Sequence, residues 1–475
     1  MKNIVYIFSD EMRQDALGCY GNPAGKMKTP HIDRIAAQGT LFENCYCNSP
    51  VCLPSRASIM TGLYPEDTAA YDNEAAMPDF RMAMPATTFP EVLAKAGYHT
   101  ANFGKTHLPP ELHPFQLDVR DGSEMHLGLT RPEIQQLPRI KPRSQFSMNM
   151  ASLYPEGKDY YPEIITRNAV SWIRKQEGPF FVRVSYTQPH SPIILKRGYE
   201  ELYKDYPFDG QLPDISGLSE FEQSLASAVR LDTLTPEELR TAKAYYYGLA
   251  AWVDDQVGEI LACLEEKGLL KDTIVIFNAD HGALRGECRG LGKHVYNRAS
   301  HAVPLIIADP SAPQKGLRVS DVCSNIDLAR TVLGMVGVPA PAQFKGCDLM
   351  RGEYPGEVYS TIGYGEPDSC AFPNRHLGRL PGGRGWPRRS CIRTQRYRLD
   401  MSTRIDAAYT NAENEDLFFV DTLACPQEDR NMAGLPEYAA TVAELRQKLL
   451  AHVRGCAEAD PETLRVPVVP GSNDQ

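Results

Sequence analysis

The sequence lacks both a long apolar run and an excess of positive charge. A helix that spans a bilayer needs about 20 consecutive apolar residues, and no segment of the 475 residues approaches that length. The formal net charge is -10 and the pI is about 5.7, which argues against the broad basic surface of a nucleic-acid-binding protein. We therefore expect neither a membrane nor a nucleic acid as a partner.

A disulfide framework is also missing. The 12 cysteines are scattered, and the close pair Cys45 and Cys47 lacks the second pair of ligands that a zinc site requires. Lys2 precedes only a short apolar stretch with no small-residue cleavage site, so no signal peptide is predicted. We expect a cytoplasmic protein whose cysteines are mostly buried thiols.

What the sequence does contain is an alternation of strand-like and helix-like segments. Apolar runs typical of buried strands lie at 4–8, 101–103, 180–186, 273–277 and 303–308. Segments with helical patterning lie between and beside them, at 31–38, 89–96, 163–175 and 235–267. This order predicts an α/β fold with a large mixed, mainly parallel sheet sandwiched by helices.

The pattern changes after about residue 353. Short strand-like segments follow at 357–362, 390–393 and 397–401, and a terminal helix is predicted over 436–453. Such a series is typical of a smaller antiparallel α+β subdomain. We therefore predict a catalytic domain at 1–353 and a C-terminal subdomain at 354–475.

Polar residues with catalytic or metal-binding chemistry follow four of the predicted strands. These residues are Asp10 and Glu11, Lys105 and His107, His190, and Asp280 and His281. Ligands of open α/β sheets bind at the carboxyl ends of the strands, so the four segments are expected to meet in one pocket. Three carboxylates and an imidazole suffice for one divalent cation, although Asp10 and Glu11 could instead cap a following helix.

Cys52 stands in the segment Cys52-Leu53-Pro54-Ser55-Arg56. A single cysteine is often a small hydrophobic residue of the core. Next to Arg56 at the start of a helix it could instead be a thiolate of low pKa. The residues alone leave both interpretations open.

Taken together, these motifs resemble the sulfatases of the alkaline phosphatase superfamily, and among them the polysaccharide-type sulfatases. The signature C-x-P-S-R of that family is present at 52–56. The other matching segments are Asp10-Glu11, Thr61-Gly62, Gly104-Lys105-Thr106-His107, Pro189-His190, Asp280-His281-Gly282, Gly292-Lys293, Asn325-Ile326-Asp327, Gly337-Val338-Pro339 and Asp429-Arg430-Asn431. The matches extend over most of the chain.

The resemblance implies that a maturation enzyme oxidises Cys52 to formylglycine, whose hydrate attacks the sulfur of the substrate. It also implies one divalent cation held by Asp10, Glu11, Asp280, His281 and position 52. Calcium is the first choice, with manganese and zinc as alternatives, because His281 stands where many members of the family have asparagine. Glu11 replaces a frequent aspartate, so it either ligates the cation through a longer side chain or lies behind the ligands.

The remaining roles follow from the same resemblance. Lys105 and Lys293 would bind sulfate oxygens. Arg56 would steady the hydrate, His107 would take its proton during release, and His190 would protonate the leaving alcohol. The roles of the two histidines could be exchanged without changing the sequence pattern.

The expected activity is hydrolysis of a small anionic sulfate ester, with a carbohydrate sulfate as the substrate hypothesis. A rival is a formylglycine-dependent phosphonate monoester or phosphodiester hydrolase. A third interpretation is a binding protein without catalytic activity. Such a protein would lack the nucleophile, a lysine or a metal ligand, and the sequence contains all of these residues. A homo-oligomer stays open.

A basic segment of the C-terminal subdomain is the candidate for sugar recognition. Its members are Arg375, His376, Arg379, Arg384, Arg388, Arg389 and Arg393. Arginine pairs bidentately with carboxylate and sulfate, so Arg388 and Arg389 are predicted to bind the substrate. The competing interpretation is a solvated surface loop.

Overall fold

An eight-stranded sheet forms the centre of the computed structural model, which describes residues 1–21, 27–78, 80–144, 149–363, 387–405 and 408–456. The strands of this sheet are β1 (Asn3–Asp10), β2 (Thr40–Tyr46), β3 (His99–Gly104), β4 (Leu117–Val119), β5 (Phe180–Pro189), β6 (Thr273–Ala279), β9 (Leu305–Ala308) and β10 (Leu317–Ser324). A separate hairpin consists of β7 (Leu284–Arg285) and β8 (Leu291–Gly292). The strand order of the large sheet is β10-β2-β9-β6-β1-β5-β3-β4.

The sheet is mixed and mainly parallel, as predicted. In this sheet β9 runs antiparallel to both of its neighbours, β2 and β6. Each neighbouring pair in the series β6-β1-β5-β3-β4 is parallel. The central strands β1, β5 and β6 are buried along their full length, which explains their continuous apolar runs.

Helices cover both faces of the sheet. The α-helices are α1 (Pro30–Gln38), α2 (Cys52–Thr61), α3 (Pro65–Thr68), α4 (Phe89–Lys95), α5 (Arg131–Gln136), α6 (Ile164–Arg174), α7 (Glu220–Val229), α8 (Pro236–Glu266), α9 (Arg298–His301), α10 (Asp327–Met335) and α11 (Ala439–Gly455). Phe181 packs against Phe89 of α4, and Tyr186 packs against Trp252 of α8. Because residues five apart on a strand point to opposite faces, α4 and α8 lie on opposite sides of the sheet.

The long helix α8 begins where its capping residues predict. Thr235 accepts a hydrogen bond from the Glu238 backbone N–H, and the Glu238 carboxylate accepts one from the Thr235 N–H. Pro236 occupies the first helical position, where its missing N–H is not needed. This capping box explains why the predicted and observed starts of α8 coincide.

The C-terminal subdomain contains a second, antiparallel sheet. Its strands are β11 (Glu357–Ile362), β12 (Pro387–Thr394), β13 (Tyr397–Ile405), β14 (Ala408–Tyr409) and β15 (Phe418–Asp421). Helix α11 packs on β12 and β13. The predicted antiparallel α+β character is confirmed, and the domain boundary after residue 353 stays a prediction.

Within the described residues, every helix is too short or too polar to cross a bilayer. The cysteines of the described ranges are free thiols.

Candidate active site

Four adjacent parallel strands end at the same edge of the large sheet, and each delivers a polar residue there. Asp10 ends β1, and the next residue, Glu11, turns the chain with a φ of 64°. Lys105 follows β3, His190 follows β5, and Asp280 follows β6 by one residue. Their common position at the carboxyl ends of the strands agrees with the expectation from the sequence.

Gly104 allows β3 to lie close to β5 at this edge. Its φ is +96°, and a Cβ built on it would lie 2.1 Å from the carbonyl oxygen of Ser185. Only glycine accommodates both constraints. Lys105 therefore leaves the strand at a fixed place beside Asp10, with which its ammonium group pairs.

Cys52 is the first residue of α2 and is 1% exposed. Its Sγ lies 2.7 Å from Lys293 Nζ, 3.3 Å from His281 Nε2 and 3.5 Å from Asp10 Oδ1. Burial alone would raise the pKa of the Cys52 thiol, but Lys105, Lys293 and His281 together hold this pKa well below its usual value. The side chain at position 52 therefore lies among residues that favour negative charge on it.

Arg56 is fully buried one turn after Cys52 and joins two carboxylates. Its Nε lies 2.8 Å from Asp280 Oδ2, and one terminal nitrogen lies 3.1 Å from Asp10 Oδ2. Another terminal nitrogen donates to the Lys105 carbonyl oxygen at 3.0 Å. Arg56 thus positions the carboxylates of Asp10 and Asp280. This is a role beyond the contact with the hydrate at position 52 that the resemblance implies.

A cation fits between these groups. One donor atom from each of Asp10, Cys52, Asp280 and His281 lies within 4.8 Å of the other three. His281 Nδ1 lies 2.8 Å from the Gly282 carbonyl oxygen, so Nδ1 donates its proton there and Nε2 faces the cluster, where a bound cation would replace the proton on Nε2. Ligand histidines are commonly oriented by such a contact.

The charges of the cluster favour a positive ion at its centre. Burial and the neighbouring Asp10 raise the pKa of Asp280. Burial would lower the pKa of His281, but Asp280 raises it to about 9. Two adjacent buried carboxylates therefore attract a positive charge, either as a proton or as a metal ion.

Glu11 lies next to the same cluster. One oxygen each from Asp10 and Glu11 and a ring nitrogen of His190 form a second group within 4.8 Å of one another. Glu11 Oε1 lies 3.4 Å from a terminal nitrogen of Arg285, whereas its buried Oε2 makes no hydrogen bond within the described structure and has His190 Nε2 at 3.4 Å. A buried carboxylate oxygen without a hydrogen bond is costly, and a cation would compensate it.

Two histidines and a lysine lie around Cys52. His190 Nε2 is 3.0 Å from Lys293 Nζ and 3.4 Å from Glu11 Oε2. His107 has a positive φ of 48°, and burial lowers its pKa to about 4. A neutral His107 can accept a proton, as a general base must.

The two arginines predicted to bind substrate differ in position. Arg389 is 1% exposed and pairs with Asp400 at 2.6 Å and Asp416 at 3.0 Å. Its guanidinium is held by these carboxylates inside the C-terminal subdomain, which corrects the expectation that it binds substrate. Arg388 lies over the Tyr71 ring at 3.6 Å from its centroid, and its role in binding stays a prediction.

The other basic residues divide in the same way. Arg393 is buried and pairs with Glu428 at 2.6 Å, so it is structural. Residues 375, 376, 379 and 384 lie outside the described residues.

Several residues that support the site were not predicted from the sequence. Tyr246 donates to the Glu11 carbonyl oxygen at 2.6 Å, and Arg285 lies over the Tyr246 ring. Asn325 donates to the Asp280 carbonyl oxygen at 3.2 Å. Asn325 stands in a motif of the family, whereas no pattern in the sequence singles out Tyr246 or Arg285, because they act from a helix and a hairpin.

Comparison with known proteins identifies related families and relatives of the chain. The sulfatase family model matches residues 2–338, and a model for the C-terminal part of N-sulphoglucosamine sulphohydrolase matches residues 286–454. An ulvan-active sulfatase from Formosa agariphila is 29% identical over 465 residues, which cover 94% of this chain and 80% of the relative.

Solved structures share the fold. A structure in complex with its substrate D-glucosamine-2-N,6-O-disulfate has a TM-score of 0.73 and 22% identity, with 98% of this chain and 99% of the other covered. The phosphonate monoester hydrolase of Agrobacterium radiobacter has a TM-score of 0.77 and 21% identity, with 96% of each chain covered. At these identities the two structures establish the fold alone.

Proposed function

Because the chain belongs to the sulfatase family and is a sulfuric ester hydrolase, we propose that it hydrolyses the sulfate ester of a carbohydrate at the Cys52 cluster. The products are an alcohol and inorganic sulfate. One observation carries the proposal: Cys52 Sγ lies within 3.5 Å of an acidic, an imidazole and an ammonium group, all of them distant from Cys52 in the sequence.

The proposed cation lies between Asp10, Asp280, His281 and position 52, with Glu11 as a further ligand. Bound there, the ion would act as a Lewis acid that neutralises charge on the sulfo group and lowers the pKa of a hydroxyl. Glu11 Oε2, which makes no hydrogen bond within the described structure, and the close carboxylates support this assignment. Calcium suits the oxygen donors, and the imidazole keeps manganese and zinc as alternatives.

We propose that a separate maturation enzyme oxidises Cys52 to formylglycine. The signature at 52–56 supports this step. Because Cys52 is 1% exposed in the folded chain, such an enzyme would have to reach it before α2 packs onto the sheet.

Each charged or titratable residue around position 52 is proposed to have a separate role in catalysis. Lys105 and Lys293 bind sulfate oxygens, as fixed charges in a dry site should. His190 protonates the leaving alcohol through Nε2, and His107 accepts a proton during release. Arg56 keeps the acidic pair in place.

The carbohydrate assignment is supported by two comparisons. The relative from Formosa agariphila is described as ulvan-active, and one structure of the same fold was solved with a sulfated glucosamine as its substrate. Arg388 is the residue of the C-terminal subdomain proposed to contact an anionic sugar, because it is only partly buried, whereas its neighbour Arg389 is 1% exposed.

A paired assay tests the function. The purified protein is offered a sulfated monosaccharide, such as glucosamine 6-sulfate, and a phosphodiester, such as bis(4-nitrophenyl) phosphate. We expect a larger kcat/KM for the sulfate ester and no turnover by the Cys52→Ala variant. A larger kcat/KM for the phosphodiester would instead assign the phosphodiesterase activity of the rival interpretation.

A further inference from the structure

A second cluster of metal-capable side chains lies where α11 meets the large domain. It consists of Glu66 in α3, His452 in the last turn of α11, and Cys456 directly after that helix. One donor atom of each residue lies within 4.8 Å of the other two. The three donors are an oxygen, a nitrogen and a sulfur, and none of them belongs to the Cys52 cluster.

Two buried polar atoms of this cluster lack hydrogen-bond partners within the described structure, whereas the Cys456 thiol donates to the His452 carbonyl oxygen at 3.3 Å. Glu66 is 2% exposed, and its Oε2 has no hydrogen-bond partner within the described structure. His452 Nε2 is also buried without one. It lies 3.9 Å from Glu66 Oε1, which is too far for a hydrogen bond. Buried polar atoms in native proteins are almost always satisfied, so two such atoms beside a thiol indicate a missing ligand.

The surroundings hold the donors in place. The His452 ring stacks on Tyr359, with centroids 4.0 Å apart and an interplanar angle of 7°. Tyr64 contacts the same ring edge-on at 4.5 Å. The Thr361 hydroxyl donates to Glu66 Oε1. Metal ligands are typically oriented by contacts of this kind.

We propose that Glu66, His452 and Cys456 bind a zinc ion that is distinct from the active-site cation. Zinc accepts carboxylate oxygen, imidazole nitrogen and thiolate sulfur, whereas calcium and magnesium prefer oxygen ligands alone. On binding, the S–H bond of Cys456 breaks, its proton goes to solvent, and a Zn–S bond forms. A carboxylate and a thiolate then balance the charge of Zn²⁺.

The geometry leaves one coordination position for water. Zinc usually has four ligands, and the described residues supply three. The His452 side chain is 11% exposed, so a water molecule can reach the site. The ion would fasten the end of α11 to α3, which follows the signature helix α2 after three residues.

Zinc content of the full-length protein tests the proposal. The wild type and two variants, Cys456→Ser and Cys425→Ser, are loaded with zinc chloride, desalted and analysed by mass spectrometry for metal per chain. Cys425 is the matched control, since it is 7% exposed against 6% for Cys456 and, among the described residues, belongs to no candidate metal group. We expect Cys456→Ser to retain one zinc fewer than either of the others. Equal zinc content in all three proteins would overturn the proposal.

A spectroscopic readout covers the case in which Cys456→Ser folds poorly. Cobalt bound to a thiolate gives a charge-transfer band in the near ultraviolet. The band is measured in a Cys52→Ser background, so that the active site contributes none. We expect the band in the Cys52→Ser protein and its loss when His452→Gln is added to that protein. If the Cys52→Ser protein itself shows no band, Cys456 does not bind the ion.

Discussion

Replacing His190 with asparagine tests whether its imidazole protonates the leaving alcohol. The side chain is 9% exposed, and Nε2 lies 3.0 Å from Lys293 Nζ. Asparagine keeps a polar group of similar size but cannot transfer a proton at neutral pH. The variant should therefore retain the fold and lose only acid catalysis.

The expected loss depends on the leaving group. General acid catalysis contributes about 10²- to 10⁴-fold, which corresponds to about 3–5 kcal/mol of transition-state stabilisation. A sugar alkoxide is a poor leaving group and needs the full proton, so we expect kcat/KM for a carbohydrate sulfate to fall about 10³-fold. A 4-nitrophenolate leaves without protonation, and its sulfate ester should lose less than about tenfold.

The assay compares kcat/KM of the wild type and the variant on these two substrates. His107→Asn is the matched control, because a base that acts during release should affect both substrates equally. If His190→Asn reduces both values by the same factor, the assignment of the acid to His190 is wrong. If the leaving-group dependence is found in His107→Asn instead, the two histidines exchange roles.

Three further predictions concern stability, pH and metal. Arg56→Met leaves the buried Asp280 without its guanidinium partner and Asp10 with Lys105 alone, so the free energy of unfolding should fall by about 3–5 kcal/mol in urea titrations; a loss below about 1 kcal/mol would contradict the positioning role. Burial raises the pKa of Asp254 to about 7 from 3.8, so the folded state binds a proton that the unfolded chain releases, and stability should decline as pH rises through this window. Asp254→Asn, which can still accept from the Ile32 backbone N–H, should flatten the Tm profile between pH 4 and 7 in that window, and an unchanged profile would refute the assignment. Chelation with EDTA should abolish sulfate release, and calcium should restore it best among calcium, manganese and zinc; full activity in EDTA would exclude the proposed cation.

Much of the fold follows from local sequence features. The buried strands β1, β5 and β6 were predicted because their apolar runs are uninterrupted, and α8 because Thr235 and Pro236 mark its start. Strands β2 and β10 were not predicted, since each mixes polar and apolar residues. The antiparallel direction of β9 was not predicted either, because an apolar run carries no information on strand direction.

The family resemblance is confirmed, and it rests on short motifs within each of which the residues are adjacent in sequence. The signature at 52–56 and the pair Asp280-His281 can be read from the chain directly. Their chemical types already specify a nucleophile and the ligands of a cation. The roles of the individual site residues stay predictions until variants are measured.

The sequence by itself determined the α/β pattern and the chemical groups that are available, namely the signature cysteine and the carboxylates of Asp10, Glu11 and Asp280. The tertiary structure decided which groups are in contact. It buried Arg389 against Asp400, and it brought Glu66 to His452 and Cys456, although neither arrangement has a local pattern. The physical reason is that contacts between distant segments depend on how strands and helices pack, and a side chain meets its partner only after that packing has formed.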